Sequence, residues 1–476
     1  MKFFKINCFI IYFACLSLYG SAQEVWSLEK CVNHAIEKSL QIEGSQLLLS
    51  GTEIDINQAR HARYPNLSAG SNVGWNFGRT IDPTSNQFVT ETFFNNSFSL
   101  NSNVLLYNGG RVGNTINQSI ANNKATVKDL EQTKRDISLS VASLYLNILF
   151  AKENLQNAEN QLVLTNEQLS QLNKQIAVGN RPENDRLDLE AQIATNEQTI
   201  TEAKNNLTIN LLNLKQLLRL DPDFNLDIVN PGDIPLETDP DIVTFNELYL
   251  SALGTQPSVA ANEMRVKSAE LGEKISKASF LPTLGAGGNL RTNYSNKGFN
   301  STLVGTEYQN RTLLINNQEV KVGFPSPLFD FEKIPYFDQF TNNLSYGVGI
   351  SLNIPVYNNY TSRAGLQRAQ LNTERANLNL LQTRETLKIT VGQALSDAKA
   401  AKAKFQATNK TKTAQSNLYN NAVKRFEIGN LNAFELTRLK TQLESASINN
   451  IIAKYDYLFR TKILDFYLGK PIKLTK

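Results

Sequence analysis

The chain is written twice, and no other feature narrows its fold as much. Residues 27–67 align without a gap to 244–284 at a shift of 217, which sets Ala35 on Ala252, Ile42 on Val259 and Glu53 on Glu270. The same shift sets Tyr64-Pro65-Asn66-Leu67 on Leu281-Pro282-Thr283-Leu284. Farther along, the shift is 250: Asn103 falls on Asn353, Tyr107-Asn108 on Tyr357-Asn358, Gly179-Asn180 on Gly429-Asn430, and Gln192 on Gln442. Internal duplication means one supersecondary pattern built two times over, each copy needing neighbours to cover its apolar surface. The 33-residue difference between the two shifts is an insertion within 295–340, where aromatic residues and prolines such as Phe324-Pro325-Ser326-Pro327 read as a long loop.

Around the repeats the chain divides into a first repeat at 23–220, a linker at 221–243 holding Pro222, Pro231, Pro235 and Pro240, and a second repeat at 244–476. Residues 1–22 read as a secretory signal peptide: Met1-Lys2-Phe3-Phe4-Lys5, an apolar stretch from Ile6 to Leu18, then Gly20-Ser21-Ala22 before the cut. Cys15 invites lipidation, but the apolar stretch continues past it, so processing after Ala22 is the expectation. Cys31 is then the one cysteine left, and an exported chain with a single thiol has no disulfide framework. Lys and Arg are interleaved with Asp and Glu at a formal net charge of +4, which gives no nucleic-acid footprint.

Each half reads helix, strand, strand, long helix, turn, helix. The first helix, about 27–63, must stop before Pro65, because proline disfavours helix at the residue preceding it, and Pro282 marks the matching break. The long helix, about 112–178, carries Leu155, Ala158, Leu162, Leu169, Leu172 and Ile176 at heptad spacing, with Thr165 at the missing position. The returning helix, about 183–218, carries a second seam through Leu189, Ile193, Ile200, Ala203, Leu207, Leu214 and Leu217, so the two make a helical hairpin. Heptads alone fit a soluble bundle or coiled-coil spacer equally well. Length argues further: at about 1.5 Å per residue the long helix spans ~100 Å, and the two shorter helices stacked end to end match it.

Four strands are expected, at about 66–78, 93–107, 283–294 and 343–357. In the first, Leu67, Ala69, Val73, Trp75 and Phe77 alternate with Ser68, Gly70, Asn72, Gly74, Asn76 and Gly78, a period of two long enough to cross an outer membrane. A soluble sandwich would turn such a polar face outward, but these polar positions are small and uncharged apart from Arg291, and aromatic residues gather at the strand ends. An apolar band between aromatic girdles is the pattern of a lipid-facing barrel. No run approaches eighteen apolar residues, so membrane residence must come from strands. Four strands cannot close in lipid, where an open edge leaves backbone groups unpaired at several kcal/mol each. Three copies give twelve.

Signal peptide, two repeats, paired amphipathic strands and long heptad hairpins together resemble the TolC-like outer-membrane efflux family over the whole mature chain. The motifs that carry the resemblance are the hairpin tips, Ala177-Val178-Gly179-Asn180 and Glu427-Ile428-Gly429-Asn430, each followed six residues after the glycine by an acid, Asp185 and Glu435. The corners Leu105-Leu106-Tyr107-Asn108-Gly109-Gly110 and Ile354-Pro355-Val356-Tyr357-Asn358 match the family's aromatic corner. The resemblance implies a mainly α fold with a membrane β-barrel: a homotrimer whose twelve-stranded barrel in the outer membrane continues into a twelve-helix periplasmic tunnel. It implies a passive exit duct for tripartite efflux or type I secretion, partnered by a periplasmic adaptor, an inner-membrane pump driven by protons or ATP, and outer-membrane lipid. Val178, Gly179, Asn180, Arg181, Ile428, Gly429, Asn430 and Leu431 become adaptor-contacting tips, and Asp185 and Glu435 line a constriction. Arg438 stands where several members place another acid, so an Arg438–Glu435 pairing is the alternative to an acid ring. A trimeric coiled-coil surface protein or periplasm-spanning spacer is the competing reading, which the strand pairs disfavour.

No residues call for a cofactor. Cys31 and His34 are three apart on a helix, but a zinc site needs three or four ligands and His61 is the one other histidine. Asp221, Asp223, Asn225 and Asp227 have the odd-position spacing of a calcium loop, yet Leu226 occupies the glycine position and a solvated linker is the expectation. With two histidines, no phosphate-binding Gly-Lys-Ser loop and no nucleophile motif, an enzyme is unsupported.

Overall fold

The computed structural model describes residues 24–81, 88–90, 92–230, 238–315 and 318–470. The expected signal peptide and Cys15 lie outside them, as does 231–237 of the linker. In chain order the elements are β1 (Glu24–Trp26), α1 (Leu28–Lys38), α2 (Leu40–His61), β2 (Asn66–Asn76), β3 (Thr80–Ile81), β4 (Phe88–Val89), β5 (Phe93–Tyr107), α3 (Arg111–Ala177) and α4 (Asn184–Leu218). They continue with β6 (Leu226–Ile228), α5 (Phe245–Thr255), α6 (Pro257–Lys277), β7 (Thr283–Ser295), β8 (Phe299–Ile315), β9 (Gln318–Lys333), α7 (Tyr336–Asn342), β10 (Ser345–Asn353), α8 (Thr361–Glu427) and α9 (Ala433–Tyr467). Both long helices, α3 and α8, have 67 residues, and both returning helices, α4 and α9, have 35.

The chain forms two compact units. The helical one comprises residues up to Glu53, Ala121–Lys267 and Glu374 onward; the other comprises Ile54–Ile120 and Ser268–Thr373.

Three apolar clusters hold the helical unit. The largest gathers Trp26, Cys31, Val141, Tyr145, Ile148, Leu149, Leu214 and Ile228. There β1 pairs in parallel with β6, and the buried Tyr145 hydroxyl lies 2.7 Å from the Val229 carbonyl and 3.2 Å from that of Trp26. The segment read as solvated linker is thus partly a strand: Asp227 pairs with Lys152, and Asp239 and Asp241 each take a 2.6 Å bond from Lys402. Cys31 is enclosed, and burial pushes its thiol up to about 12 while His34 stands edge-on to Trp26 at 5.0 Å. Both are packing residues. A second cluster joins Leu248, Val259, Val391, Ala398 and Leu464, and a third joins Leu172, Leu189, Tyr419, Phe426 and Leu436.

The expected single first helix is two. Ser39 adopts extended angles (φ −68°, ψ 126°) between α1 and α2, and Gln256 does the same between α5 and α6. Pro257 explains the second break, since proline at a first helical position is pre-set for a start. Nothing so plain marks Ser39.

The other unit is built on one antiparallel sheet in the order β10-β7-β5-β2, so a strand of the first repeat, β5, lies beside one of the second, β7. Its register pairs Ala69 with Leu100, Leu100 with Leu290, and Leu290 with Tyr346. β10 stops at Asn353, four residues short of expectation, where Pro355 follows without a donor for the ladder. The insertion is no loop. Strands β8 and β9, 17 and 16 residues long, pair from Phe299↔Lys333 to Ile315↔Gln318, with Pro325 and Pro327 inside β9. A two-stranded ribbon is all edge, where proline is tolerated. Among the described residues no helix is long and apolar enough to cross a membrane.

Candidate functional site

Both hairpin tips of the helical unit close by the same device. Gly179 takes φ +77° and Gly429 φ +80°, a region closed to most side chains. The Gly179 amide donates to Ile176 O at 2.9 Å and the Asn180 amide to Gln175 O at 2.9 Å; Gly429 and Asn430 repeat this with Phe426 O and Arg425 O at 3.0 and 2.8 Å. These crossed bonds satisfy carbonyls that a helix end would otherwise leave unpaired. The turns lift one large apolar residue each into solvent, Val178 and Ile428, both 71% exposed. Phe434, 68% exposed, and Leu187, 56% exposed, are further large apolar residues open to solvent, in the first turns of α9 and α4. Sequence reasoning passed over both; the available signal is that each is an apolar residue off the heptad seam.

Arg181 ties the tips together. Its Nη2 donates to Phe426 O at 3.1 Å and to Leu431 O at 2.7 Å, and its guanidinium lies 4.5 Å from the centre of the Phe426 ring. Its Nη1 stands 3.6 Å from the half-buried Asp185 carboxylate. Glu435 is also paired: Arg438 grips it with Nε to Oε2 at 2.9 Å and Nη2 to Oε1 at 2.5 Å. Those bonds hold the Glu435 carboxyl below the usual range. Glu435 further sits three residues after Asn432, whose side chain accepts its amide at 2.8 Å, so it occupies the helix-start position where an acid is favoured by the dipole. The two acids therefore sit in matched first turns, each with an arginine of its own hairpin.

Deeper in the helical unit lies a buried polar layer. Thr165, the residue that interrupts the heptad seam, accepts from Asn196 Nδ2 at 2.7 Å and from Lys440 Nζ, which also reaches Gln161 O at 3.3 Å. Gln192 Nε2 donates to Asn196 Oδ1 at 2.9 Å. Lys440 is 2% exposed, and burial pulls its ammonium down to about 8, against the opposing pull of Glu444. Burial raises Glu444 in turn. The seam gap is thus a socket for a lysine from the other hairpin.

The sheet of the second unit has two contrasting faces. Pleating sends Leu67, Val73, Trp75, Phe94, Phe98, Leu100, Leu284, Leu290, Val348 and Ile350 to one side. Asn, Ser and Gly dominate the other, from Ser68 and Asn72 through Asn101 and Asn289 to Ser351, with Leu105 and Thr283 also on it, and Arg291 is the one charged residue of the four strands. At the strand-to-helix corner, Gly109 takes φ +64°, and a Cβ there would fall 2.7 Å from Leu281. Pro65 and Pro282 each stand directly before a strand, β2 and β7, where their breaks were expected.

The model of a family described as outer membrane efflux protein matches residues 31–218 and 248–470. The chain belongs to that family. It is an outer-membrane efflux protein by family. Among curated relatives it is 25% identical over 303 residues to toxin and drug export protein A of Aggregatibacter actinomycetemcomitans, across 60% of this chain and 62% of that protein. It is 23% identical over 218 residues to outer membrane protein TolC of Escherichia coli (strain K12), across 44% of each. The chain thus spans less than two thirds of the length of these relatives. Its fold is that of solved channels: VceC of Vibrio cholerae superposes with a TM-score of 0.73 at 14% identity, covering 94% of this chain and 97% of that one. CusC does so with 0.72 at 15% identity, covering 96% of each. The interval left out of the efflux family match, 219–247, is the segment that carries β6 and the linker prolines.

Proposed function

We propose that three copies of this efflux protein assemble into a passive exit duct: twelve strands closed as a barrel in the outer membrane, and twelve helices forming a periplasmic tunnel. The observation that carries the reading is the two-faced sheet. Its apolar face suits acyl chains, its Asn-Ser-Gly face suits an aqueous lumen, and its outer strands β2 and β10 each have a single partner in a sheet of four. An unpaired edge is not tolerated in hydrocarbon, so closure by further copies follows. The tips, with Val178 and Ile428 projecting from rigid glycine turns, serve as docking points for a periplasmic adaptor that couples the duct to an inner-membrane pump of a tripartite efflux or type I secretion system. Asp185, Glu435 and Arg438 sit at the tunnel's narrow end. Mass measurement of the protein extracted in mild detergent tests assembly; a stable monomer sinks the closure argument. Photocrosslinkers at Val178 and Ile428 test docking, and a duct that captures no adaptor when its system is co-expressed refutes that role.

A further inference from the structure

The insertion that distinguishes the second half from the first ends in a short helix, α7, and the position of that helix has a consequence. It lies against the sheet of its own unit, on the apolar face. The Tyr336 ring is 4.6 Å from that of Tyr294, and Phe340 is 5.1 Å from Phe98. Asn96 Nδ2 donates to Tyr336 Oη at 2.9 Å, and Thr292 Oγ1 donates to the Phe340 carbonyl at 2.8 Å. All four partners, Tyr294, Phe98, Asn96 and Thr292, point to the apolar side by register.

The helix is held there firmly. Gln339 is wholly buried: it accepts the Ser295 amide at 2.9 Å and donates to Ser295 O at 2.9 Å and Ile334 O at 3.0 Å. A Cβ at Gly298 would fall 2.8 Å from Gln339 Oε1, so the chain passes over this side chain only as glycine. With the anchor fixed, Phe337 is presented outward, 79% exposed, edge-on to Tyr336 at 5.4 Å. It ends a run of rings in which Trp75 meets Phe94 at 5.2 Å, Phe94 meets Tyr294 at 6.0 Å, and Tyr294 meets Tyr336.

We propose that α7 is a membrane-interface foot, lying on the outside of the sheet with Phe337 inserted at the boundary between headgroups and acyl chains. This rests on the barrel reading, in which the apolar face meets lipid. Depth follows from chemistry. From Leu284 to Tyr294 is ten residues, which at about 3.4 Å each and a tilt near 40° gives a band of ~26 Å, the height of an outer-membrane apolar belt. The α7 rings stand at the Tyr294 end of it. Asp338, exposed on the same helix, cannot enter hydrocarbon as a carboxylate, so the helix stops at the interface, where rings with polar neighbours are favoured.

The test uses full-length protein in dioleoyl phosphatidylcholine vesicles that contain brominated analogues, with Trp75→Phe throughout and Trp26, buried in the helical unit, as an unquenched internal reference. In Phe337→Trp the introduced indole is expected to be quenched more by bromines high on the acyl chain than by bromines at its midpoint. Val348→Trp, in the middle of the apolar face, is expected to show the reverse order. Quenching at 348 with none at 337 overturns the foot while leaving the barrel; a blue-shifted, unquenched indole at 337 would mean that another protein surface covers it. Absence of quenching at both positions overturns the barrel reading and the foot with it. Asp338→Leu should move the depth of maximal quenching at 337 toward the midpoint, and no movement would remove the argument from charge.

Discussion

Arg181 and Phe426, 245 residues apart in the chain, are joined twice: the guanidinium donates to the Phe426 carbonyl at 3.1 Å and lies over the Phe426 ring at 4.5 Å. A cation at the end of α8 also meets the negative end of that helix's dipole. One side chain of the first hairpin therefore caps the second.

Removing that cap should loosen the tips. Charge-assisted bonds of this kind contribute roughly 1.5–3 kcal/mol, and Lys lacks both the second nitrogen that faces Asp185 and the planar group that lies over the Phe426 ring. Spin labels on Val178→Cys and Ile428→Cys should report a longer and broader distance distribution in Arg181→Ala, with Arg181→Lys in between. Cys31 is enclosed with its thiol pushed up to about 12, so it escapes labelling. An unchanged distribution would show that the apolar cluster around Leu172 and Phe426 alone sets the tip spacing.

The Arg181 link is invisible to sequence reasoning because it is tertiary: its two ends share no periodicity. What periodicity does determine is the hairpins, since α3 and α4 begin and end within a residue or so of the heptad reading. The Glu435–Arg438 pair is equally local, three residues apart on one helix, and so was open to inference. The insertion was not. Pro325 and Pro327 argue against a central strand, and a two-stranded ribbon evades that argument by having no centre. The break at Ser39 goes unread for a different reason: its counterpart carries Pro257 as a signal, while Ser39-Leu40 is compatible with helix and yields to packing.

The paired acids change what a tip constriction should do. With Arg438 gripping Glu435, the negative charge at that level is largely offset, and Arg438→Ala should expose it. In planar bilayers that variant is expected to show stronger cation preference and stronger block by trivalent cations, and Asp185→Asn with Glu435→Gln should weaken both. The depressed carboxyl of Glu435 means that the pairing is fully present above the ordinary carboxylate range and is lost as pH falls through its lowered value. Cation preference of the parent should therefore vary little from neutrality down to that range. Identical block in parent and Arg438→Ala would remove these residues from the conduction path.

Lys440 carries a stability cost at neutral pH that is relieved as pH rises. Its folded value of about 8 lies below the ordinary lysine value, so between the two the unfolded chain holds more protons, and this group makes stability rise with pH across that window. Thr165 keeps both its other bonds, to Gln161 O at 2.8 Å and Asn196 at 2.7 Å, when the lysine is gone. Lys440→Met with Glu444→Gln should then be stabilised at neutral pH, by about 1–3 kcal/mol, as apolar replacements of buried charges often are. Thermal unfolding in detergent at neutral pH and near pH 10 checks both claims: the gain should shrink at the higher pH. A double variant less stable than the parent at both values would mean that the lysine supports the layer instead of burdening it.

Arg291 offers the most direct test of which face of the sheet lines the lumen. It is the one charge in the four strands, on a face made largely of Asn, Ser and Gly, between Ser99 on β5 and Ser345 on β10. If three copies close the barrel with that face inward, three guanidiniums stand at one level of an otherwise neutral passage, an arrangement that favours anions in pores. The acids at the tips oppose it weakly, because each already has an arginine. Arg291→Gln should shift the reversal potential in a potassium chloride gradient toward cation preference, and Arg291→Glu should shift it further. Arg291→Lys should leave it near the parent, since a ring of point charges does not need the planar fork. Screening falls to about 10 Å at 0.1 M salt, so these shifts should be largest at low ionic strength and fade as salt is raised. Reversal potentials that coincide in the parent, Arg291→Gln and Arg291→Glu would mean that the Asn-Ser-Gly face does not line the conducting path, and the orientation of the whole sheet would have to be inverted.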